Sequence, residues 1–595
     1  MKKSKMKKIT SVIVSLALII SSVFISPIIA GAVSTPPQLE STAVQFWADP
    51  ENTLTQNDLN SFNSGTNITM VGAVGVYARS TSSTNYYLFL PSSADCNNLK
   101  VWFNASTASI DSTMIKSGEP TNAFADIAAG GVSKTYTLDL DGAKYSVTAM
   151  KSGDIGAVYV DTTSGSISNV YNSNEHDSSE AGTIMVIDAN GNVNYDGALD
   201  KIQGRGNGTW GVTNKRPFNI KLGVSTSLLG MSKAKKWCLL ANEADETLIK
   251  DQLTYDFADY IGIKYQPHCK PVDLYVNQQY LGSYQLSEKV EIKSNRLNIS
   301  DAYENLEIAN GTTDATTGVT TPADLSGTTV KTVNSSGQQV SLGTGSMLFD
   351  DTNSQTVGVR RYSDSLSSPS DVTGGYLYEL EISQRWIEEN AGFCAYNRQG
   401  WVIKNCDYAT PSMVNYSYDL LYALGSAVYN GGIVPNKSTT TSTPLQTIFT
   451  MRTTTNPAPA TKYQNKKWSD ILDADSAVRY YWTQEYFKNM DSSTSSTYFY
   501  KDSDSKNSKL YAGPMWDMDN TIMYNKSASR WGCDLSSPEG WYTKNARIYR
   551  FRSNDSSTKY SKDSEAPLNF YAALATNCSD FWAMAETYWY STIEP

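Results

Sequence analysis

Positions 204–210 carry a glycine-rich loop, Gly204-Arg205-Gly206-Asn207-Gly208-Thr209-Trp210, and a strand follows it, Phe218-Asn219-Ile220-Lys221-Leu222. Far along the chain, positions 513–519 read Gly513-Pro514-Met515-Trp516-Asp517-Met518-Asp519. Backbone N–H groups of a glycine loop approach phosphate oxygens closely, a lysine neutralises them, and aspartates supply hard oxygen ligands to Mg²⁺. These segments together predict a site for a nucleotide and its metal ion, with phosphoryl transfer as the leading hypothesis.

Each of these segments also has a plainer interpretation. Glycine-rich turns are commonly ordinary hairpins, and Lys221 fits an exposed strand lysine as well as a phosphate ligand. We expect Asp517 and Asp519 to hold one cation together only if the segment turns between them. A loop cap or a structural Ca²⁺ site is the alternative for this pair.

A second acidic segment has the spacing of a kinase catalytic loop. Asp475 or Ser476 is expected to cap a helix that ends near Asn489, and Ser496 lies five residues beyond Asp491. A kinase catalytic loop places its base aspartate five residues before a metal-binding asparagine. We therefore expect Asp491 to accept or orient the proton of the acceptor hydroxyl, and Ser496 to replace the asparagine as a weaker metal ligand.

The remaining groups complete this predicted site. Asp517 would chelate Mg²⁺, and Asp519 would bind a second ion or orient the ligands of the first. Lys221 would lie on the α- and β-phosphates, while Arg205 and Asn207 would cover them. The sequence contains no Walker A motif, which disfavours the P-loop class.

Residues 1–32 have the pattern of an export signal peptide that is cleaved from the mature protein. Five lysines precede an apolar stretch from Ile9 to Ile29, which ends in the small residues Ala30-Gly31-Ala32. A retained membrane anchor is the alternative, although serines and a proline dilute the apolar run. Removing five positive charges changes the formal net charge from −10 to −15. We predict a secreted or cell-surface protein with no membrane span after signal removal and no nucleic-acid partner, because phosphate neutralisation needs clustered Lys and Arg.

The cysteines and histidines argue against two other classes of site. The 7 cysteines are scattered and include no Cys-x-x-Cys pair, so buried thiols are expected rather than a disulfide framework or a zinc site. His176 and His268 are the only histidines, and neither lies in a recognisable nucleophile motif. We therefore predict neither a His-based hydrolytic triad nor a His-rich metal centre.

Residues 33–165 are predicted to form a β-rich accessory module with the strand rhythm of a β-sandwich. Polar turns separate its strand candidates, which are Tyr86–Leu90, Leu99–Phe103, Lys134–Leu140 and Ala157–Val160. The module contains no cluster of catalytic groups. Binding, spacing or substrate presentation is its expected role, and a plain accessory domain is the alternative.

Residues 166–595 are predicted to form a second domain of class α+β. Asn190-Gly191 marks a hairpin, a helix is expected from Thr247 to Ile261 with Asp245 as its cap, and a second hairpin turns at Asn277-Gln278. The order strand, loop, strand, helix and hairpin is that of a kinase small lobe. Two Ser/Thr-rich stretches, near 310–345 and 437–461, lack the apolar residues to fold alone and are predicted to be surface insertions or loops.

From about Gly182 to the end, the order of motifs resembles the CotH kinase family, the spore-coat atypical kinases. The motifs that carry this resemblance are Gly204–Trp210, Phe218–Leu222, Leu228–Met231, Lys235–Asn242 with Asp245, Val272–Tyr275, Tyr284–Val290, Gly374–Leu377, Ile403-Lys404 and Gly513–Asp519. The resemblance implies a divergent protein-kinase-like two-lobed domain, here preceded by the accessory module. It also implies ATP and Mg²⁺ or Mn²⁺ as cofactors, phosphorylation of Ser or Thr in protein targets, and nucleotide contacts from Gly204, Arg205, Gly206, Asn207, Gly208, Lys221 and Glu288.

The chain departs from the family pattern at one helix. Members usually show an Arg-Asn step where this chain has Lys250-Asp251. The acidic partner of Lys221 stays open between Glu246 and Asp251.

Three functional hypotheses follow. The first is a secreted atypical kinase that transfers the γ-phosphate of ATP to Ser or Thr of extracellular or surface proteins. The second is a non-catalytic cell-surface or extracellular binding or scaffold protein built on a kinase-like fold, which agrees with the scarcity of ATP outside cells. The third is transfer of another part of the nucleotide, such as an adenylyl group. The set Lys221, Asp491 and Asp517 argues against a site that has lost all activity.

Overall fold

A computed structural model describes the strand at 44–47 and most of the chain from 73 to 594. Outside the described residues lie 1–43, 48–72, 76, 79–84, 104, 207–208, 211–214, 244, 341–356, 382–385, 387–388, 437–443, 447–450, 454–457, 494, 523–536, 538, 547–567 and 595. The predicted export signal at 1–32 is therefore not among the described residues.

The chain divides into two compact units, each described here by itself. The barrel unit contains residues Pro27–Ile249 and His268–Lys289. The sheet–helix unit contains Lys250–Pro267 and Val290–Pro595. The strands of the barrel unit are β1 Val44–Trp47, β2 Ala73–Gly75, β3 Tyr77–Ala78, β4 Asn85–Leu90, β5 Leu99–Phe103, β6 Ala108–Ile110, β7 Thr113–Ile115, β8 Pro120–Thr121, β9 Lys134–Leu140, β10 Ala143–Lys151, β11 Gly156–Thr162, β12 Ser179–Ile187, β13 Val193–Gly204, β14 Phe218–Thr226, β15 Ala234–Leu240, β16 Cys269–Val276 and β17 Gln279–Glu288, with helix α1 at Ser168–Tyr171.

Two sheets precede the barrel, in the region where the sequence predicts a β-rich module. One has the strand order β2-β1-β5-β8 and the other β3-β4-β10-β9-β6-β7. A closed barrel follows, with the order β11-β12-β13-β14-β15-β17-β16. The barrel and the two sheets share one apolar core, because Tyr159, Met185 and Tyr275 of barrel strands pack with the sheet residues.

Strand β11 shows why the end of the accessory module is hard to place from sequence. Its side chains alternate between two cores: Ala157 and Tyr159 pack towards the preceding sheets, and Val158 and Val160 fill the barrel. All seven of its residues are buried. A strand covered on both faces is apolar throughout and carries no alternation to show which layer it belongs to.

The turns of the barrel unit follow the sequence signals. Gly191, between β12 and β13, has φ of 91°. Between β16 and β17, Asn277 and Gln278 both have positive φ, 49° and 68°. Two consecutive left-handed residues define the turn that matches the twist of a two-residue hairpin, which Asn277-Gln278 forms. Strands β12 and β13 pair antiparallel across the longer loop 188–192, so both predicted hairpins are confirmed, the first without a two-residue turn.

The sheet–helix unit has a seven-stranded antiparallel sheet of order β20-β21-β23-β24-β22-β27-β28 and two separate hairpins. Its strands are β18 Thr312–Thr313, β19 Thr320–Thr321, β20 Lys331–Val333, β21 Arg360–Tyr362, β22 Tyr376–Glu381, β23 Gly392–Cys394, β24 Gly400–Ile403, β25 Pro444–Gln446, β26 Met451–Thr453, β27 Thr497–Lys501 and β28 Leu510–Ala512. Its helices are α2 Lys250–Tyr260, α3 Ala302–Ala309, α4 Pro411–Tyr429, α5 Trp468–Ile471, α6 Ala474–Tyr486, α7 Phe570–Asn577 and α8 Ser579–Tyr588, with short helical turns at Tyr396–Arg398, Thr461–Tyr463, Thr543–Asn545 and Trp589–Ile593.

The two faces of this sheet differ in chemistry. On one face Phe499 of β27 contacts the rings of Trp401 and Phe570 at 5.4 and 5.5 Å. On the same face the Tyr378 hydroxyl donates to Ser417 Oγ of α4 at 2.8 Å. Side chains alternate along a strand, so Glu379 and Glu381 of β22 lie on the opposite face. One face of the sheet is thus aromatic and packed on helices, and the other carries buried carboxyl groups.

Helix ends and the first Ser/Thr-rich stretch differ from the sequence interpretation. Asp473, not Asp475 or Ser476, caps α6, and its side chain accepts from Ser476 N–H at 2.9 Å. The stretch near 310–345 forms the β18–β19 hairpin, and its strand β20 pairs with β21 at the sheet edge. Backbone hydrogen bonds to an existing sheet order this segment without a core of its own.

Six cysteines fall within the described residues, and no disulfide joins them. They are Cys96, Cys238, Cys269, Cys394, Cys406 and Cys578, and all are buried, as predicted. Burial raises the pKa of the Cys406 thiol well above its usual range. Among the described helices, none is both long and apolar enough to cross a membrane.

Lys501 is expected to be a structural lysine of the sheet–helix unit. Its buried ammonium reaches Asp504 Oδ1 at 2.8 Å and the carbonyls of Asn507 at 2.9 Å and Thr373 at 3.2 Å. Lys501→Met should lower the free energy of unfolding by about 3 kcal/mol, because these acceptors lose a charged donor. Urea denaturation followed by tryptophan fluorescence measures it, with Lys506→Met on the exposed side of the same loop staying within about 0.5 kcal/mol. Equal effects of the two substitutions would contradict this role.

Asp273 should make the stability of the barrel unit depend on pH. Asp273 is buried, and burial raises its pKa to about 6. Hydrogen bonds from Ser152 and Tyr280 act in the opposite direction, and the Tyr280 hydroxyl donates to Asp273 at 2.9 Å. When the pKa of a carboxyl group is higher in the folded than in the unfolded state, ionisation destabilises the fold. The free energy of unfolding therefore falls as pH rises from about 4 to 6. Asp273→Asn should therefore stabilise the unit by up to about 3 kcal/mol at pH 8 and hardly at all at pH 4.

Thermal unfolding of wild type and Asp273→Asn across this pH range measures the effect. Exposed Asp196→Asn on β13 is the matched control, for which no pH-dependent difference is expected. A gain for Asp273→Asn that is equal at pH 4 and pH 8 would show that ionisation is not its cause.

Candidate active site

The acidic segment 513–519 is held in an irregular conformation by two side chains that are distant in sequence. Gln266 accepts from Met515 N–H at 2.9 Å and donates to its carbonyl at 3.2 Å. The Asp251 carboxylate on α2 accepts from Met518 N–H at 2.7 Å. Asp517 has φ of 61°, which is the left-handed region. These contacts bury the two methionines and leave the Asp517 side chain exposed.

Helix α2 supplies the support for this segment. Tyr255, one turn beyond Asp251, stacks on Trp516 with ring centroids 6.2 Å apart and planes at 12°. Its hydroxyl accepts from Asp517 N–H at 3.3 Å. Residues four apart lie on one face of a helix, so Asp251 and Tyr255 face the segment together. The predicted helix is confirmed over Lys250–Tyr260, and Asp251 at its start is a support residue in this unit. Asp245 does not cap it: this residue lies five positions before the helix and accepts from Thr247 N–H at 2.8 Å.

The predicted catalytic loop follows α6 and bends twice. The Asn489 side chain accepts from Asp491 N–H at 3.0 Å and fixes the start of the loop. Ser493 and Ser496 have positive φ, 53° and 51°. The Thr497 hydroxyl accepts from Ser493 N–H at 3.1 Å, where β27 begins. These local bonds leave the Asp491 side chain half-buried at the start of the loop.

The structure brings the loop and the acidic segment together. Ser496 Oγ donates to Asp517 Oδ2 at 2.9 Å, and Met490 N–H donates to the carbonyl of Asn520 at 3.0 Å. Ser496 and Asp517 are thus neighbours in space, as expected for two predicted metal ligands. Both are left-handed backbone positions held by surrounding contacts, which is common at functional sites.

Asp519 lies in a different environment from Asp517. Only 7% of Asp519 is exposed, whereas Asp517 is on the surface. The turn that the sequence required between the two carboxyl groups is present at Asp517. The burial of Asp519 fits the second predicted role, that of orienting the ligands of the ion, better than direct binding of a second ion.

The donor set agrees with a hard cation that takes most of its ligands from phosphates and water. Within the described residues, no group of three His, Cys, Asp or Glu side chains could hold a metal ion alone. The Asp517 carboxylate and the Ser496 hydroxyl offer two hard oxygens at an exposed position. Mg²⁺ commonly uses one or two carboxylates together with substrate phosphates, so these residues fit it.

Three charged residues lie near the loop; the sequence analysis missed Glu379 and Glu381 and named Lys404 only as part of a family motif. Glu379 and Glu381 lie on β22, with 4% of each exposed, and Ser495 Oγ donates to Glu381 at 2.9 Å. Lys404 follows β24, with its ammonium 2.9 Å from Glu379. The alternation Glu-x-Glu within a strand directly after Gly374-Gly375 was the available signal, because an inward-facing carboxyl pair is rarely structural.

In the barrel unit, the glycine loop begins as a tightly packed turn. Gly204 at the end of β13 lies against the ring of Trp210. A Cβ atom at position 204 would lie only 2.4 Å from a ring carbon of Trp210. Gly206 has φ of 90°, and Arg205 N–H donates to the carbonyl of Pro217 at 3.2 Å. Gly204 is thus required by packing against an indole ring. The predicted nucleotide contacts Asn207 and Gly208 lie outside the described residues.

Lys221 and Glu288 are placed by contacts within the same unit. Lys221 on β14 pairs with Asp200 of β13, Nζ to Oδ2 at 3.3 Å, and both side chains are partly exposed. The partner found is therefore neither Glu246 nor Asp251. The buried Glu288 carboxylate accepts from Ser232 N–H at 2.6 Å and from His268 N–H at 3.0 Å. Burial opposes the charge of Glu288, but these hydrogen bonds hold its pKa below the usual value.

Comparison with known families agrees with this arrangement. The family model described as CotH kinase protein matches residues 202–340 and 426–564. The chain belongs to the CotH kinase family. No curated protein matches the chain at a significant level.

The matched regions of this CotH kinase family member contain every residue predicted for the site. Lys221 and Glu288 fall in the first region, and Asp491, Ser496 and Asp517 fall in the second. Glu379, Glu381 and Lys404 lie between the two regions. Membership of this family indicates a kinase-like protein. Kinase-like proteins in general use ATP and a divalent metal ion.

Asp251 is expected to stabilise the acidic segment of this family member. Asp251→Ala removes the acceptor for Met518 N–H inside the protein, and should lower the free energy of unfolding by about 2 kcal/mol. Urea denaturation measures this change, and Asp256→Ala on the exposed side of α2 should stay within about 0.5 kcal/mol. If Asp251→Ala proves as stable as Asp256→Ala, the hydrogen bond does not support the segment.

Proposed function

We propose that this protein is an atypical kinase that transfers the γ-phosphate of ATP to Ser or Thr hydroxyls of extracellular or surface proteins. Membership of the CotH kinase family supports a kinase-like activity. The observation that carries the proposal is the 2.9 Å contact between Ser496 and Asp517. It joins the end of a loop with catalytic-loop spacing to the acidic segment, and the sequence pattern assigns both residues to the metal ion.

Each residue has a role that its position allows. Asp491, half-buried at the start of the loop, accepts the proton of the acceptor hydroxyl as its oxygen bonds to the γ-phosphorus and the bond to the β,γ-bridging oxygen breaks. Asp517 and Ser496 hold Mg²⁺ or Mn²⁺, and Asp519 fixes the segment from its buried side. The bound ion neutralises charge on the phosphates.

The acceptor class follows from the predicted export of the chain. A leader at residues 1–32 directs the kinase to the secretory route, where surface and extracellular proteins are its substrates. The formal net charge of −10 disfavours acidic partners and nucleic acid. An acceptor with basic residues near its Ser or Thr therefore fits this protein best.

Transfer of labelled phosphate tests the proposal. The chain without residues 1–32 is incubated with γ-labelled ATP, Mg²⁺ or Mn²⁺ and a generic basic acceptor protein. Asp517→Ala and Asp491→Ala should each lower the transfer rate by 100-fold or more. The reason is that a metal ligand or a general base commonly contributes a factor of about 10²–10⁴ to the rate. Ser496→Asn, which restores the usual catalytic-loop ligand, should keep or raise the rate.

Exposed Asp256→Ala serves as the control and should transfer phosphate at the wild-type rate. Nucleotide binding is followed by thermal shift, because a ligand at 100 times its dissociation constant stabilises the folded state by about 2.7 kcal/mol. Transfer that persists in both Asp517→Ala and Asp491→Ala would place catalysis elsewhere. Absence of both transfer and thermal shift in the wild type would overturn the kinase proposal.

A further inference from the structure

The face of the seven-stranded sheet opposite its aromatic face, here called the polar face, buries two carboxyl groups, those of Glu379 and Glu381. Glu379 lies opposite Tyr498 of β27 and opposite Val402 of β24 in the strand register. Glu381 lies two residues further on the same face, about 7 Å along the strand. Both carboxyl groups are almost completely buried. Burying two like charges in one face costs stability, so such a pair is retained at functional sites more often than in plain cores.

Lys404 balances this face and also reaches solvent. The β22–β24 ladder continues through Lys404 N–H, which donates to the carbonyl of Leu377 at 2.7 Å, so its side chain lies on the Glu379 face. Its ammonium is 2.9 Å from Glu379 and 3.2 Å from Glu389. The Lys404 side chain is 32% exposed, whereas that of Glu379 is 5% exposed. The lysine thus extends from a buried anchor carboxylate to the surface.

An ammonium group has three N–H donors. Lys404 donates one of them to Glu389 at 3.2 Å, whereas its contact with Glu379 is an ion pair without hydrogen-bond geometry. One donor of Lys404 is therefore available to a further acceptor at the exposed end of the side chain. Partial burial opposes the charge of Lys404, but Glu379 and Glu389 offset it and hold its pKa well above the usual range. The residue stays a cation at any pH at which phosphate esters are anions.

The same face is connected to the proposed metal ligands through two consecutive residues. Ser495 Oγ donates to Glu381, and Ser496 Oγ donates to Asp517, both at 2.9 Å. The strand register places Tyr498, two residues after Ser496, directly opposite Glu379, the carboxylate beside the Lys404 ammonium. The loop that carries Ser496 thus leads into the strand that lies beside the anchor of Lys404.

We propose that Lys404 is a phosphate-binding residue of the sheet–helix unit, with Glu379 as the positioning residue that anchors its ammonium. Its ligand is the polyphosphate of a nucleoside triphosphate whose metal ion sits at Asp517. The inference rests on the proposed kinase function and adds a phosphate ligand to it. Lys221, paired with Asp200 in the other unit, keeps its separate assignment.

Binding of Mg·ATP and of tripolyphosphate, measured by titration calorimetry on the chain without residues 1–32, tests the inference. Lys404→Met should weaken both ligands to a similar degree, about 10- to 100-fold, because it removes a charged donor to phosphate. Lys404→Arg should recover most of the loss, and Glu379→Gln should weaken binding less than Lys404→Met. Lys293→Met, which breaks the exposed ion pair with Glu304 in the same unit, is the matched control and should bind like wild type.

Acetylation of the wild-type protein gives a second measurement that does not depend on folding of a variant. Saturating tripolyphosphate should slow modification of Lys404 several-fold and leave Lys293 unchanged, as read by mass spectrometry. Wild-type binding together with unchanged binding by Lys404→Met, or unprotected Lys404, would overturn this inference and leave the kinase proposal standing. Absence of any binding by the wild type would overturn both.

Discussion

The candidate active site depends on a hydrogen bond between residues that are far apart in sequence. The Asp251 carboxylate accepts from Met518 N–H at 2.7 Å and so fixes the acidic segment against α2. With Gln266 holding Met515, this contact buries the methionines on both sides and turns the intervening aspartate outward. An extended segment would have placed Asp517 and Asp519, which are two residues apart, on one face, whereas the turn leaves Asp517 exposed and Asp519 buried. The exposed metal ligand is thus a consequence of where α2 places its carboxylate.

The sequence predicted the parts of the fold that local patterns determine. Both hairpins and the helix after Asp245 follow from turn residues and from apolar periodicity, which act over a few positions. Closure of the seven-stranded barrel was not predicted, because closure depends on pairing between β11 and β16, whose partners, such as Gly156 and Val272, are distant in the chain. The shared role of β11 in two cores was hidden for the same reason.

The candidate site was predicted to a similar extent. Spacing in the sequence suggested that Ser496 and Asp517 belong together, and the structure places them in contact. The sequence spacing did not suggest that Lys221 of β14 would pair with Asp200 of β13. Which residues of two adjacent strands meet depends on the strand register, which the sequence does not give directly. Glu379 and Glu381 were overlooked because a charged residue in a strand is expected to face solvent unless the strand is known to be covered, and Lys404 was named only as part of a family motif. That these residues share one buried face follows only once the opposite, aromatic face of the sheet is known.

The buried, unlinked thiols of both units have a consequence for the life of the protein. None of the six described cysteines forms a disulfide, so the described part of the fold needs no oxidant. Burial disfavours the thiolate that reacts with peroxides, as the raised pKa of Cys406 shows. These six thiols should therefore stay reduced in aerated medium as well as in a reducing cytosol.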